Sequence, residues 1–337
     1  MKGVTGVHPI STLPERVRVT VVGGGAIGEL TATVLAEFHG VTVTRLGSRG
    51  LTGEALADTD PQLVAVCSPH GLHVDHGLRA LAAGAHLVIE KPLALDVGSG
   101  RSLLSAARVA ERSVSVISQR RFEPAMIAAR AAIHSGALGR PLLGDCRLPW
   151  HRDADYFTGS SWRGTSDLDG GVLFNQGIHL IDLLRWLLGP VDRVGCRMAT
   201  LRQPIEAPDT ATAWLEFGSG ALGSLSATVA AATGAPAELE LRFERGTIRF
   251  ADDRVAEWVV PGYPEPTGTE TVGSGSADPK DIGSIGHRRQ WEAILSALRA
   301  GRQPEVSGSD ALGTTALVRA LHDSAAAGGA PIRPGAR

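Results

Sequence analysis

Val17-Arg18-Val19-Thr20-Val21-Val22-Gly23-Gly24-Gly25-Ala26-Ile27-Gly28 decides how the rest of the chain is read. A β-branched run stops at consecutive glycines, and a helical pattern follows from Ile27 to about His39. The glycines spell G-x-G-x-x-G. Gly23 permits a tight turn, Gly25 lets the backbone approach a pyrophosphate, and Gly28 allows close packing of helix on strand. Ala26 and Ile27 open the helix, whose N-terminus offers unpaired N–H groups to phosphates. Glycine-rich turns also occur for structure alone. The strand before and the helix after supply the context that makes this one a dinucleotide site.

Working outward, further apolar runs at 41–46, 63–66, 86–89 and 113–117 alternate with helical segments such as 77–83 and 98–111. That alternation implies a doubly wound α/β unit with a parallel sheet covered on both faces. The pattern changes near Arg121. A helix is expected over 124–135, a strand over 142–149, and an irregular loop over 151–169, rich in Gly, Ser, Asp, Tyr and Trp. An apolar helix at 177–188 ends at Gly189-Pro190. Consecutive strand-like runs to about residue 260, separated by short turns, indicate a large open, mostly antiparallel sheet. A polar stretch at 261–281 reads as a flexible loop, and two helices, about 287–300 and 309–326, finish the chain. The expected division is a Rossmann domain at 14–122 and an α+β substrate and oligomerisation domain at 123–337.

The end of the second strand bears on the choice of dinucleotide. An acidic residue there holds a ribose 2′-OH, but this chain has Gly47-Ser48-Arg49. Ser48 and Arg49 suit a 2′-phosphate that a carboxylate would repel, so NADP(H) is favoured over NAD(H). In the plainer alternative Arg49 is a solvated loop residue and NAD binds without an acidic anchor.

Glu90-Lys91-Pro92 follows the fourth strand, and ligands of open α/β sheets sit beyond the carboxyl ends of strands. The Lys91 ammonium there can serve a substrate hydroxyl or carbonyl, with desolvation drawing its pKa toward working pH. A surface lysine is the commoner case for any one lysine. Its place at a strand end favours the chemical reading. On a regular helix Asn175, His179 and Asp182 share one face amid leucines and isoleucines. A polar stripe on a buried helix is costly unless satisfied or used, and both remain open.

With these residues in view, the chain resembles the glucose–fructose oxidoreductase / inositol dehydrogenase (Gfo/Idh/MocA) family. The resemblance rests on the glycine turn, Cys67-Ser68-Pro69-His70-Gly71-Leu72-His73, Glu90-Lys91-Pro92, Arg120-Arg121-Phe122, Trp162-Arg163-Gly164-Thr165, the segment 170–182 and Gly286-His287, in order from about 16 to 330. It implies oxidation or reduction at a sugar or cyclitol hydroxyl, with Lys91 and His179 catalytic. It also places Ser68, Pro69, His73 and Glu90 beside the cofactor, and implies homodimers or homotetramers built on the open sheet. Where many relatives have Asp four residues before the histidine, this chain has Asn175. An amide cannot stabilise an imidazolium by charge, which shifts proton transfer toward Lys91 unless Asp182 substitutes.

Arg121 and Arg163 are candidates for substrate oxygens through their forked donors, or else for structural ion pairs. Trp162 and Tyr156 stack on a sugar or pack the loop. His287 starts a terminal helix that reaches toward the site. His70, His73 and His76 invite a metal reading, but no carboxylate or thiolate completes a ligand set, so no metal is expected. A net charge of −2 gives no field for nucleic acid or an anionic membrane. Three cysteines, with no CxxC pair, give neither a disulfide framework nor a thiolate zinc site. No secretory signal or membrane span is legible, so the expectation is cytoplasmic. Two alternatives to a simple sugar substrate stay open. One is a nucleotide-sugar dehydrogenase or ketoreductase, for which Arg152 and Arg163 would serve a diphosphate. The other is a catalytically silent NAD(P)-binding sensor, for which loss of the lysine would be the expected mark.

Overall fold

The computed structural model describes residues 10–267 and 283–335; most of the loop expected at 261–281 lies outside them. In the first half, β1 (Val17–Val22), α1 (Ala26–Ala36), β2 (Val41–Leu46), α2 (Gly53–Ala57), β3 (Leu63–Val66), α3 (His73–Ala82), β4 (His86–Ile89), α4 (Val97–Val109) and β5 (Val114–Val116) follow in turn. Short 3-10 turns at His70–Leu72 and Gln119–Phe122 cap the carboxyl ends of β3 and β5. The sheet runs β2-β1-β3-β4-β5, wholly parallel. Alternation along β1 and β3 sorts the two faces: Val17, Val19, Val21, Leu63 and Ala65 join one core, and Val22, Val64 and Val66 the other. Both faces are covered, as the near-continuous apolar strands require.

The second half contains α5 (Pro124–His134), β6 (Pro141–Pro149), α6 (Ala154–Thr158), a π turn at Leu173–Gly177 and α7 (Ile178–Leu188). It continues through β7 (Val191–Ala199), β8 (Thr210–Phe217), β9 (Leu222–Thr228), β10 (Glu238–Phe243), β11 (Gly246–Ala251), β12 (Arg254–Val259), α8 (Ile285–Arg299) and α9 (Gly308–Ala326). The second sheet has the order β12-β11-β10-β6-β9-β8-β7. It is antiparallel except for β6 on β9, which run parallel. The helices α5, α7 and α9 pack on its inner face around Leu148, Phe174, Ile181, Leu184 and Leu225. Strand β12 and the short helices α2 and α6 were not expected as separate elements, because each is too short or too polar to show a period.

The terminal helix α8 departs from a simple division at 122/123. Its Trp291, Ile294, Leu295 and Leu298 are buried in the core of the first sheet, against Val34 and Leu35 of α1. A second tie between the halves is a buried ion cluster. The Arg121 guanidinium donates to Asp182 in a fork (Nε to Oδ2 2.7 Å, Nη2 to Oδ1 2.5 Å) and through Nη1 to Asp310 at 2.7 Å. Thr314 donates to the same Asp182 at 2.8 Å, and Arg185 pairs with Asp310.

This corrects the expectation that Arg121 binds substrate. Its side chain is 2% exposed, and its donors are spent on α7 and α9. Asp182 is corrected with it: a carboxylate held by a guanidinium and a hydroxyl is not free to replace the one missing at 175. Removing one member of a buried pair strands the other's charge. Arg121→Ala should therefore lower unfolding stability by about 3–5 kcal/mol in urea titrations. A loss under about 1 kcal/mol, the scale of a surface pair, would contradict the structural role.

Candidate active site

A cleft of about 1030 Å³ runs from the glycine turn to the loop before α7. At its first end the turn is built by two close approaches. A Cβ on Gly23 (φ +142°) would lie 2.4 Å from the Cys67 carbonyl oxygen, and one on Gly28 would lie 2.2 Å from that of Gly23. No side chain fits either place. Around a Cβ at Gly24 or Gly25, by contrast, there is open space. The backbone there is accessible to a ligand, while the N-terminus of α1 faces the same cleft through Ala26 and Ile27. Gly23 and Gly28 thus shape the turn, and Gly25, Ala26 and Ile27 line the space. A pyrophosphate fits this donor set, and the group that fits the whole end is a dinucleotide.

Ser48 and Arg49, after β2, line the same end. Arg49 is exposed and has no ion-pair partner among the described residues. Ser68 and Pro69 line the wall after β3. His73, expected beside the cofactor, is corrected. It is fully buried, with Nδ1 2.6 Å from the Pro92 carbonyl oxygen and Nε2 2.9 Å from that of Ser68. Those contacts tie the β3 loop to the β4 loop, so His73 supports the wall from behind. His76 bonds Ser68 Oγ, and His70 bonds the Asp169 backbone carbonyl. The three histidines contact different atoms, none of them shared. Among the described residues no group of three His, Cys, Asp or Glu side chains is arranged to hold a metal ion.

Glu90 and Lys91 line the middle of the cleft, at the carboxyl end of β4. Lys91 Nζ donates to the backbone carbonyl of Asn175 at 2.6 Å, across from the first sheet to the π turn. Burial holds the Lys91 ammonium below the usual lysine range, against the pull of Glu90 and Asp169. Burial pushes the Glu90 carboxyl up to about 7, with Lys91 opposing. His179, on the first turn of α7, lines the cleft too. Burial first, then the Lys91 charge, holds its imidazole well below the ordinary value, so it is neutral at physiological pH.

The π turn breaks the regular helical face expected for 175–182: Asn175 and His179 line the cleft while Asp182 is taken by Arg121. The Asn175 side chain is used as well, donating to Asp169 at 2.5 Å.

At the far end stand aromatic and basic side chains. Arg163 lies 4.2 Å from the Tyr156 ring centroid and 5.6 Å from that of Trp162. Arg152 lies over Trp150 at 5.0 Å and Tyr156 at 5.3 Å. The Trp150 Nε1 and Arg163 Nε atoms are buried without a hydrogen-bond partner among the described residues. Buried donors of this kind are costly unless a ligand meets them.

Three lining or supporting groups escaped the sequence reading or were only glimpsed by it. Asp169 is 2% exposed, with its carboxyl pushed up to about 6 by burial. Glu123 lines the cleft with its carboxyl pushed up to about 7 by burial. His287 is 1% exposed, neither ring nitrogen has a partner among the described residues, and burial lowers its pKa to about 4. Only Gly286-His287 at a helix start signalled the last. Asp169 had a usable signal, an acidic residue directly before the Gly170-Gly171 pair.

Two family profiles match the chain. One described as "Oxidoreductase family, NAD-binding Rossmann fold" covers residues 51–118, and a Gfo/Idh/MocA C-terminal domain covers residues 126–249. The D-apiose dehydrogenase of Paraburkholderia graminis is 28% identical over 264 residues, 74% of this chain and 67% of that protein. Inositol 2-dehydrogenase 4 of Saccharopolyspora erythraea is 29% identical over 71% of this chain and 75% of its own. Three other curated oxidoreductases align over 46%, 59% and 42% of their lengths. The WlbA dehydrogenase from Bordetella pertussis, solved in complex with NADH and UDP-GlcNAcA, superposes with a TM-score of 0.85 at 27% identity, covering 96% of this chain and 99% of that one. The glycine turn and both matched regions lie on one continuous fold: the chain belongs to the Gfo/Idh/MocA family of NAD-binding oxidoreductases.

Proposed function

We propose that the chain transfers a hydride between a nicotinamide dinucleotide and a CH–OH or keto carbon of a sugar or cyclitol, with Lys91 and His179 serving the proton. One observation carries this reading: Lys91 from the first sheet and His179 from α7 line the same cleft that begins at the glycine turn. Bound nicotinamide supplies the hydride acceptor or donor. The chain supplies the rest. The substrate hydroxyl lies between Nζ of Lys91 and the imidazole of His179. In oxidation the neutral amine of Lys91 takes the hydroxyl proton; in reduction its ammonium returns one to the carbonyl oxygen. His179, held neutral, orients the hydroxyl by hydrogen bonding and adds no positive charge to repel the lysine. Asn175 cannot provide a counter-charge for an imidazolium, which fits His179 in an orienting role.

A nucleotide-linked or otherwise anionic sugar is the finer reading that the far end favours. Arg163, stacked on Tyr156, and the unpartnered Trp150 Nε1 offer directed donors to phosphate or carboxylate oxygens. The WlbA complex, with UDP-GlcNAcA, is in accord. For the cofactor, Ser48 and Arg49 at the adenosine end support NADP(H), although the WlbA dehydrogenase was solved with NADH. Retention of Lys91 in the cleft argues against a silent sensor. Exposed Trp214 and Leu222 on the outward face of the second sheet suit a homodimer or homotetramer.

Absorbance at 340 nm tests the function directly, with NAD⁺ or NADP⁺ against myo-inositol, simple aldoses and UDP-GlcNAcA, and with NAD(P)H against keto sugars. Turnover with any of these supports a redox enzyme; tight dinucleotide binding without turnover on any supports the sensor. Lys91→Met should cut kcat by roughly 10²–10⁴-fold while leaving the NAD(P)H dissociation constant within a few-fold. Near-normal kcat would remove Lys91 from the chemistry. Because oxidation needs the amine deprotonated, kcat/KM for oxidation should rise with pH through an inflection below the ordinary lysine value of about 10.4, and reduction should fall over the same range. Arg49→Ala should weaken NADPH by roughly 10- to 100-fold and NADH little, as one charge-assisted contact implies. Equal loss for both would leave the 2′-phosphate without its anchor.

A further inference from the structure

The helix bearing His179 has no carboxylate at position 175, yet the cleft wall holds one nearby. Asp169 lies six residues earlier, before the turn made by Gly170 and Gly171 at φ +76° and +78°. Its Oδ1 accepts from the Asn175 amide at 2.5 Å, and its Oδ2 from the Gly164 N–H at 3.0 Å. The backbone carbonyl of that same Asn175 accepts the Lys91 ammonium at 2.6 Å. Carboxylate, amide and ammonium therefore form one line from the second half of the chain to the strand end of the first.

We propose that Asp169 is the positioning residue for Lys91: its carboxylate fixes Asn175 so that the carbonyl receives Nζ, and supplies a negative charge that helps keep the ammonium protonated. The groups facing Lys91 from every side are few. Glu90 adjoins it on the β4 loop, Asp169 comes from the loop before α7, and the imidazoles of His70, His73, His179 and His287 come from the β3 loop, α3, α7 and α8. Burial and the Lys91 charge hold those imidazoles uncharged at neutral pH, so they add no repulsion to the ammonium. Glu90 and Asp169 both favour the ammonium, Glu90 the more strongly, and Asp169 is the one joined to Lys91 through Asn175. Below about pH 6 Asp169 becomes protonated, and its support is lost.

The test reads Lys91 itself and needs no substrate. Lysine occurs only at positions 2, 91 and 280, so acetylation by trace acetic anhydride across pH 7–11 can be followed site by site in peptide mass spectra. Asp169→Asn should lower the Lys91 midpoint by about one unit, giving roughly tenfold faster acetylation at pH 8. Lys2 and Lys280 should be unmoved, and NADH affinity should confirm the fold. An unshifted Lys91 curve in an NADH-binding Asp169→Asn chain overturns the proposal. If Asp169→Asn does not fold, the double variant Asp169→Asn, Asn175→Asp moves the carboxylate one step along the line and should restore the wild-type midpoint; a midpoint still lowered overturns it equally. Only the relevance to turnover rests on the function proposed above. A failed acetylation shift and an inactive substrate panel are separate results.

Discussion

The hydrogen bond from Lys91 Nζ to the Asn175 carbonyl is the constraint on which the site depends. It brings a charged group from the end of one sheet into the first turns of a helix on the other, in a setting dry enough to penalise charge. A buried ammonium persists only when it is paired and hydrogen-bonded. The surroundings meet that condition in two ways. Carboxyl groups at 90 and 169 stand near, and the four facing histidines are kept neutral by the same burial that disfavours the lysine's own charge. The result is an amine whose protonation is balanced between opposing effects, which is what the proposed proton exchange would require.

That bond forms only because the two halves are locked in one arrangement. The Arg121 fork onto Asp182 lies one helical turn beyond His179, so the cluster that joins the halves also fixes the helix presenting the imidazole. Helix α8 closes the other side, burying Trp291 against the first sheet while His287, four residues earlier, faces the cleft. Adhesion and chemistry thus share elements. Residues that look catalytic by charge alone turn out to carry the frame, and the cleft is lined by their neighbours.

The parallel sheet was legible because both its strands and its helices show their period locally, and because the glycine turn follows the strand that dictates it. That Lys91 and His179 line one cleft was legible because Lys91 follows a strand end and His179 interrupts an apolar helix with a polar stripe. Arg121 could not be decided between substrate and ion pair because its partners, at 182 and 310, are far away in sequence, so nothing nearby signals that its donors are spent. Asp169 was missed for a different reason, since its partners Gly164 and Asn175 are near in sequence. It lies in an aperiodic loop and becomes part of the site only through the positive-φ glycines and the π turn, an irregularity that a 3.6-residue period cannot express. The parallel pairing of β6 with β9 is likewise a choice among distant strands, invisible to local alternation.

One measurement bears most directly on this account: the structure of crystals grown with NADH. The account predicts the pyrophosphate against the open backbone of Gly24 and Gly25, and Lys91 Nζ and the His179 imidazole facing the same side of the nicotinamide ring, with room for a substrate hydroxyl between them. A ring lying elsewhere, or an Nζ and an imidazole turned into separate compartments, would contradict it and leave a nucleotide-holding scaffold without the chemistry.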